Sequence, residues 1–262
     1  MRPARIQPVA LTIAGSDSGG GAGIQADLKT FHAIGVFGTS AITCITAQNP
    51  DGVSAVQPIR PDIVAEQIAQ VAHAFPIAAA KTGMLYNAPI IRAVADALQH
   101  HRTRWLVVDP VMVATSGAVL LKPDAIHALT KLLFPLATLV TPNLAELEKL
   151  TGRSIRDPAG LRDAARALGE QHGVAVLAKA GHLPYRGFVT DVLWTPTGIH
   201  EFRSAFVPRI RPHGAGCTYS AAIAAYLALG KDLADAVAAA KKIIQRALRQ
   251  PIHLAKHRAL RV

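Results

Sequence analysis

The sequence lacks the features that define several large classes of protein. Two cysteines in 262 residues are too few for a disulfide framework, which favours a reducing, cytoplasmic compartment. No uninterrupted apolar run reaches the roughly 18 residues that a membrane span needs. The basic start, MRPARIQPVA, leads into a strand pattern without the longer apolar stretch of a signal peptide. We therefore expect neither a membrane protein, a disulfide miniprotein nor a disordered chain.

Acidic residues are absent from the last part of the chain. After Asp235 come seven basic residues and no acidic one, so the preceding body carries 21 basic and 17 acidic residues, a net charge of +4 within a total of +11. Aromatic residues make up only 5%, whereas a nucleic-acid enzyme more often interleaves aromatic with basic side chains. We interpret the basic end as a solvated helix face and a frayed terminus, and nucleic-acid binding as unlikely.

Two common nucleotide-binding motifs are also missing. Lys81-Thr82 follows Ala80, and position 75 is Phe75, so there is no P-loop. The segment GSDSGGGAG has Ile24 where GxGxxG requires glycine. We therefore do not expect a standard P-loop ATPase or a Rossmann dehydrogenase.

Short apolar runs alternate with amphipathic, helix-length segments. Strands buried on both faces and separated by helices predict a mostly parallel sheet covered on both sides, an α/β fold. FVTDVLW and IHEFRSAF, joined through TPTG, predict an antiparallel edge hairpin, and two Ala-rich helices follow from about Ala215 and Asp232. We expect one domain, with a core over about 9–249 and a basic tail over 250–262. The predicted parallel strands are VALTIAG, TSAITCIT, AAAKTG, WLVVDP, ATLVTP and VAVLAK.

The polar residues concentrate where these strands end. In parallel sheets, ligands bind beyond the carboxyl ends of the strands. The strand exits here carry a glycine loop (15–23), Gln48, and the segments 81–85, 109–112, 141–146 and 179–182. This pattern indicates a single composite site.

The segment GSDSGGGAGIQAD has five glycines in its first nine residues. Glycines allow the backbone to approach a ligand closely, and Asp27 would lie about one turn inside the next helix. A flexible strand-to-helix turn explains the pattern equally well.

HGAGCTYSAAIAAYLA places small residues before an apolar helix. The amides of Ala215, Gly216 and Cys217 can face an anion, helped by the helix dipole. A cysteine at this position is expected to have a lowered pKa and to act as a thiolate base or nucleophile. The alternative is a small buried hydrophobe, which is our interpretation of Cys44.

TPNLAE places Asn143 and Glu146 on one helix face. Their oxygens suit Mg²⁺, which usually takes few protein ligands. They also match an N-cap asparagine with a capping-box glutamate. Asp109, after WLVV, could face the site or cap the next turn.

Taken together, these segments resemble the hydroxymethylpyrimidine/phosphomethylpyrimidine kinases of thiamine biosynthesis, within the ribokinase-like superfamily. The resemblance runs in order from about Val9 to Ala247. It implies a three-layer α/β/α fold, a cytoplasmic dimeric enzyme, ATP and Mg²⁺, and phosphorylation of a pyrimidine hydroxymethyl group and then of the monophosphate. The matching stretches are AGSDSGGGAGIQADLKTF, AITCITAQN, KTGML, VVDPVM, LVTPN, LAKAGH and HGAGCTYSAAIAA.

The resemblance also implies roles for individual residues. The pyrimidine pocket would use Gly15, Asp27, Gln48, Met84 and Val111. The anion hole would be formed by Gly214, Ala215, Gly216 and Cys217, with Cys217 where sugar-kinase relatives carry an aspartate base. Asn143 and Glu146 would act on Mg²⁺ and phosphate, and Lys179, Asn143 and Asp109 would serve the nucleotide.

Three family features differ in this chain. The family usually has KGGH where this chain has Lys179-Ala180-Gly181-His182, and HGTGC where this chain has HGAGC. A polar TxNT-like segment usually precedes the last motif, whereas here RIRPHGAGC follows the edge hairpin directly. Two alternatives stay open: a pyridoxal/pyridoxine kinase, and a catalytically weak pyrimidine-binding regulatory module of the same fold.

Overall fold

A nine-stranded sheet forms the centre of the molecule. The computed structural model describes residues 6–113, 117–181, 183, 185–208 and 213–262. The strand order is β3-β2-β1-β4-β5-β6-β7-β8-β9. Strands β2, β1, β4, β5, β6 and β7 run parallel to their neighbours in that series, and β3, β8 and β9 pair antiparallel. The strands are β1 (Val9–Asp17), β2 (Phe37–Asn49), β3 (Gly52–Pro58), β4 (Ile77–Thr82), β5 (Leu106–Val108), β6 (Leu139–Val140), β7 (Ala175–Ala178), β8 (Phe188–Thr195) and β9 (Gly198–Ala205).

Helices cover both faces of this sheet and create two hydrophobic cores. Residues of α2 to α6 pack in one core, and those of α1, α7 and α8 pack in the other. The predicted three-layer α/β/α fold with an antiparallel edge hairpin is therefore confirmed. The helices are α1 (Gly23–Ile34), α2 (Pro61–Ala74), α3 (Ala88–His101), α4 (Ala125–Ala128), α5 (Leu144–Thr151), α6 (Pro158–His172), α7 (Ala215–Ala228) and α8 (Leu233–Arg249).

Helix starts coincide with local sequence signals. Asn87, Asp157 and Asp232 each accept a hydrogen bond from the amide three residues on, which satisfies a donor that the first turn leaves free. Helix α7 differs because its N-cap is Gly214, which has φ 83° and no side-chain cap. Its first amides are thus left without a capping side chain.

Three elements differ from the sequence-based expectation. Strand β3 was not predicted, and its residues are mostly half-buried or exposed at the sheet edge. The helix predicted from AIHALTKLLF is broken into α4, a π-helical turn (Leu129–Leu133) and a 3₁₀ turn (Phe134–Leu136). The basic tail forms an antiparallel hairpin of β10 (Ile252–Leu254) and β11 (His257–Ala259), so a frayed terminus was wrong.

The segment RIRP before His213, where the family's polar segment was expected, lies outside the described residues. No helix in the described part of the chain combines the length and the apolar character that crossing a bilayer requires.

Candidate active site

A cavity of about 750 Å³ opens at the carboxyl ends of the parallel strands. Of the residues predicted for the site, all except Asp27 line it. The composite site expected from the strand exits is therefore present as one space. The predicted residues that line it are Gly15, Gln48, Met84, Asp109, Val111, Asn143, Glu146, Lys179, Gly214, Ala215, Gly216 and Cys217.

Close backbone packing shapes the wall around Gly15. A Cβ added to Gly15 would lie 2.8 Å from Cys44 Sγ and 3.3 Å from Met84 Sδ. Val111, on the same wall, has φ 40°, a conformation that β-branched residues rarely adopt. Such strained backbone positions persist only where the surrounding structure holds them, and they are found most often at functional sites.

The glycine loop is organised by Asp17, which the sequence analysis did not single out. Its carboxylate accepts hydrogen bonds from the amides of Gly19, Gly21 and Ala22 at 2.8–3.1 Å, and from His213 Nε2 at 2.8 Å. Burial by itself raises the pKa of Asp17, but these hydrogen bonds outweigh it and hold the pKa below its ordinary value. Asp17 is therefore an ionised anchor for the loop.

The same loop packs tightly against the start of α7. A Cβ on Gly214 would lie 1.8 Å from the Gly21 carbonyl oxygen, and a Cβ on Gly21 would lie 2.8 Å from the His213 ring. Only glycines permit this approach. The two glycine-rich motifs thus form one wall, joined by the Asp17–His213 contact.

Asp27 does not reach the cavity, contrary to the predicted contact with the pyrimidine. Its side chain is fully buried, and Lys81 Nζ donates to both of its carboxylate oxygens at 2.9 and 3.0 Å while Thr12 donates at 2.6 Å. Burial by itself lowers the pKa of Lys81, but the Asp27 carboxylate raises it above its ordinary value. Lys81, which does line the cavity, therefore stays charged.

Lys179 forms a second buried ion pair at the far side of the cavity. Its Nζ donates to Asp109 Oδ1 at 2.9 Å, and Ser220 of α7 donates to Asp109 Oδ2 at 3.0 Å. A Cβ added to Gly216 would lie 3.5 Å from Lys179 Nζ. The lysine is thus held directly beside the start of α7, where the amides and the helix dipole also favour an anion.

Asn143 and Glu146 form the capping box that the sequence left as an alternative. Asn143 Oδ1 accepts from the Glu146 amide at 3.0 Å, and Glu146 Oε2 accepts from the Asn143 amide at 2.9 Å. Glu146 Oε1 also accepts from the Met112 amide at 3.1 Å. Both residues line the cavity as well, so the cap holds their oxygens at the site and each keeps a further lone pair.

The lowered pKa predicted for Cys217 was wrong. Burial raises the pKa of its thiol to about 11, although the positive charge of Lys81 and a hydrogen bond from the Gly23 amide act in the opposite direction. Burial likewise raises the pKa of the Cys44 thiol to about 11. The free-energy cost of removing the thiolate from water therefore exceeds the stabilisation that the helix start provides, and the resting thiol is neutral.

Sequence reasoning did not single out Asp17, Lys81 and His213. Each lay inside a quoted motif, GSDSGGGAG, KTGML or HGAGC, but Lys81 pairs with a residue 54 positions away, and Asp17 and His213 are 196 positions apart. A charged residue embedded in an otherwise small or apolar motif was the available signal.

The fold and these loops define a kinase of the ribokinase-like class. A solved phosphomethylpyrimidine kinase from Clostridium difficile 630 superposes with a TM-score of 0.82 at 42% identity, covering 92% of this chain and 100% of that one. A Bacillus subtilis pyridoxal kinase in an ADP complex gives a TM-score of 0.90 at 36% identity, covering 98% of this chain and 97% of that one.

Sequence comparison then specifies the family. A family profile described as phosphomethylpyrimidine kinase matches residues 17–260. The hydroxymethylpyrimidine/phosphomethylpyrimidine kinase of Rhizobium meliloti is 49% identical, covering 92% of this chain and 90% of that protein. The thiamine biosynthesis bifunctional protein ThiED of Geobacter sulfurreducens is 48% identical over 92% of this chain, which spans only 50% of that longer protein. The chain belongs to the phosphomethylpyrimidine kinase family.

Proposed function

We propose that the chain catalyses the ATP-dependent phosphorylation of 4-amino-5-hydroxymethyl-2-methylpyrimidine, and then of its monophosphate, in thiamine biosynthesis. The observation that carries this proposal is the single cavity, in which Gln48, Met84 and Val111 share a space with Lys179 and the start of α7. A flat polar ring and a polyphosphate need these two kinds of wall side by side.

Phosphoryl transfer requires stabilisation of the charge on the moving group. The amides of Ala215, Gly216 and Cys217 and the Lys179 ammonium are the donors available for its oxygens. In this step the substrate hydroxyl oxygen bonds to the γ-phosphorus, the bond to ADP breaks, and the hydroxyl proton leaves. Lys179 and Asp109 would serve the nucleotide phosphates, as the sequence predicts.

Cys217 is our candidate for the group that accepts this proton. Cys217 is partly buried at the start of α7 and lines the cavity. Since the resting thiol is protonated, transfer relies on the positive charge of Lys81, which lowers the pKa of the thiol against the effect of burial. Lys81 would thus assist the base, whereas the negative charge of its partner Asp27 raises the pKa of the Cys217 thiol and opposes this effect.

The oxygen donors present fit Mg²⁺. Among the described residues no group of three or more His, Cys, Asp or Glu side chains could hold a metal, but Mg²⁺ bound with a nucleotide needs only one or two carboxylates. Asn143 and Glu146 would hold it, and it would neutralise charge on the phosphates. This assignment goes together with their capping role, because the cap fixes where their oxygens lie.

A coupled ADP-release assay tests the function with three acceptors: the pyrimidine alcohol, its monophosphate and pyridoxal. We expect both pyrimidines to be phosphorylated, with the alcohol preferred over pyridoxal by roughly tenfold in kcat/KM, the value of one well-placed polar pairing. A second polar pairing, from Asp27 to the ring, would raise this preference to about 100-fold, but the structure places Asp27 outside the cavity.

Pyridoxal kinase is the second candidate, because the Bacillus subtilis neighbour superposes closely over 98% of this chain. Equal or faster turnover of pyridoxal would favour it. Tight pyrimidine binding without ADP release would favour the regulatory module. We also propose a cytoplasmic homodimer, which sedimentation at several protein concentrations would test.

A further inference from the structure

The Gln48 amide lies between two groups whose hydrogens are already committed. Thr46 Oγ1 is 2.9 Å from the Ser16 carbonyl oxygen and 3.0 Å from Gln48 Oε1. A hydroxyl has a single hydrogen, and a carbonyl oxygen can only accept. Because this hydrogen is donated to Ser16, Thr46 Oγ1 can only accept a hydrogen bond from Gln48. The NH₂ group of the Gln48 amide can donate such a bond, whereas the amide oxygen cannot.

His213 imposes the same requirement from the other side. Its Nε2 lies 2.8 Å from Asp17 Oδ2 and 3.0 Å from Gln48 Nε2. The Asp17 carboxylate is ionised and only accepts, so His213 Nε2 carries a hydrogen whether the ring is neutral or charged. An amide NH₂ beside that N–H would place two donors together, whereas an amide oxygen can share this single hydrogen with the Asp17 carboxylate in a three-centre bond.

We propose that Thr46 and the Asp17–His213 pair hold the Gln48 amide with Oε1 towards His213 and Nε2 towards Thr46, and thereby set which ring edge the cavity accepts. Thr46 and His213 are positioning residues, since they act through Gln48. This inference rests on the proposed function.

The fixed amide has chemical consequences for the substrate. In this orientation Gln48 keeps one N–H on the Thr46 side and one oxygen lone pair on the His213 side for the ligand. An aminopyrimidine presents a ring-nitrogen acceptor next to an amine donor. The ring nitrogen can therefore face only the Gln48 N–H, and the amine only the Gln48 oxygen. A ring without the amine leaves the Gln48 oxygen without its donor, which costs affinity.

The strongest test is Thr46→Val, which keeps the shape of the side chain and removes its oxygen. We expect calorimetry to show about five- to tenfold weaker binding of the aminopyrimidine alcohol, with a parallel rise in KM and a nearly unchanged kcat. The analogue lacking the amine should lose much less. Thr46→Ser, which restores the acceptor, should restore affinity.

Thr39→Val is the matched control. Thr39 lies on the same strand and donates to the Ala10 carbonyl oxygen of β1 at 3.0 Å, as Thr46 does to Ser16, but it is not part of the cavity lining. It should leave both constants unchanged. Thr46→Ala, which removes the same oxygen and leaves the Asp17–His213 contact intact, should reproduce the Thr46→Val result and serves if that variant does not fold.

The outcomes separate the two proposals. If wild-type protein neither binds nor phosphorylates the pyrimidine, the proposed function fails. If wild-type protein does both, two results would overturn the positioning role of Thr46 and His213. One is that Thr46→Val binds the aminopyrimidine alcohol as tightly as Thr39→Val does. The other is that Thr46→Val weakens binding of the amine-free analogue as much as binding of the alcohol.

Discussion

The chemistry of single residues in this site is governed by burial rather than by local sequence. Cys217 stands at a helix start, an arrangement that stabilises a thiolate in exposed settings. Its burial nevertheless raises the pKa of the thiol to about 11. At neutral pH only about one thiol in 10⁴ is then ionised.

This raised pKa predicts an alkaline pH dependence. Because deprotonation of Cys217 becomes more favourable as pH rises towards its pKa, kcat should increase through the range from neutral to mildly alkaline pH. Cys217→Ala should lower kcat by about 10²–10⁴ and abolish that increase. Steady-state assays across this pH range check both effects, and full activity in Cys217→Ala would leave only an anion-binding role.

Alkylation provides a separate check on the same residue. The pKa values of Cys217 and Cys44 are both raised to about 11, so both thiols should react slowly with iodoacetamide at neutral pH. With the lowered pKa expected from the sequence, Cys217 would instead react faster than Cys44. Mass spectrometry of the modified peptides measures the two rates, and fast neutral-pH labelling of Cys217 alone would contradict the raised pKa.

The buried pair of Lys81 and Asp27 gives a prediction of stability. Asp27→Asn leaves the Lys81 ammonium without its counter-charge in a fully buried place, and loss of one partner of such a pair costs about 3–5 kcal/mol. Urea unfolding should show this loss. Asp163→Asn, which breaks the exposed pair with Arg166, is the control and should change stability little.

At the scale of elements, strongly periodic segments could be predicted and irregular ones could not. The parallel strands and long helices follow from buried apolar runs, as in β1 and α3. Strand β3 pairs at the sheet edge with little burial, so it lacks the apolar signal. The break after α4 lies just before Pro135, which has no amide hydrogen to donate and crowds the carbonyl four residues earlier.

Some features of the site could likewise be predicted from the sequence, and others could not. Residues that line the cavity from loops could be predicted, because strand exits and glycine motifs lie in known places. The orientation of the Asp27 side chain could not be predicted, since Asp27 on α1 pairs with Lys81 on β4, which is distant in the sequence. Likewise, sequence could not choose between capping and metal binding at Asn143 and Glu146, because one geometry serves both.

Helix α5 therefore offers a test of that dual role. Glu146→Gln keeps an acceptor for one of the two amides that Glu146 accepts from but removes the other acceptor and the negative charge, so it should cost about 1–3 kcal/mol of stability. We expect it to raise the Mg²⁺ concentration needed for half-maximal activity. Asp157→Asn at the start of α6, a cap outside the cavity, should leave the Mg²⁺ titration unchanged. An unchanged titration for Glu146→Gln would restrict that residue to capping.

For the whole molecule, the net charge of +11 overstates the free positive surface. Two cations of the C-terminal part are paired with carboxylates. Lys241 is mostly buried and donates to Asp191 at 2.5 Å, and Lys256 lies 3.0 Å from Asp51. Of the remaining basic residues, Lys242, Arg246 and Arg249 lie on α8, Arg258 lies in the small terminal hairpin and Arg261 follows it. No aromatic residue comes after Tyr226.

We therefore expect only weak, salt-sensitive association with nucleic acid. A protein that neutralises several phosphates loses orders of magnitude in affinity between about 50 and 200 mM salt, and base stacking is not available to compensate here. Fluorescence anisotropy with a labelled duplex should show no binding at about 200 mM salt. Removal of residues 251–262 should leave kcat/KM for the pyrimidine alcohol unchanged, since none of them lines the cavity. Binding that persists at the higher salt and disappears with this deletion would instead give the basic tail a nucleic-acid role.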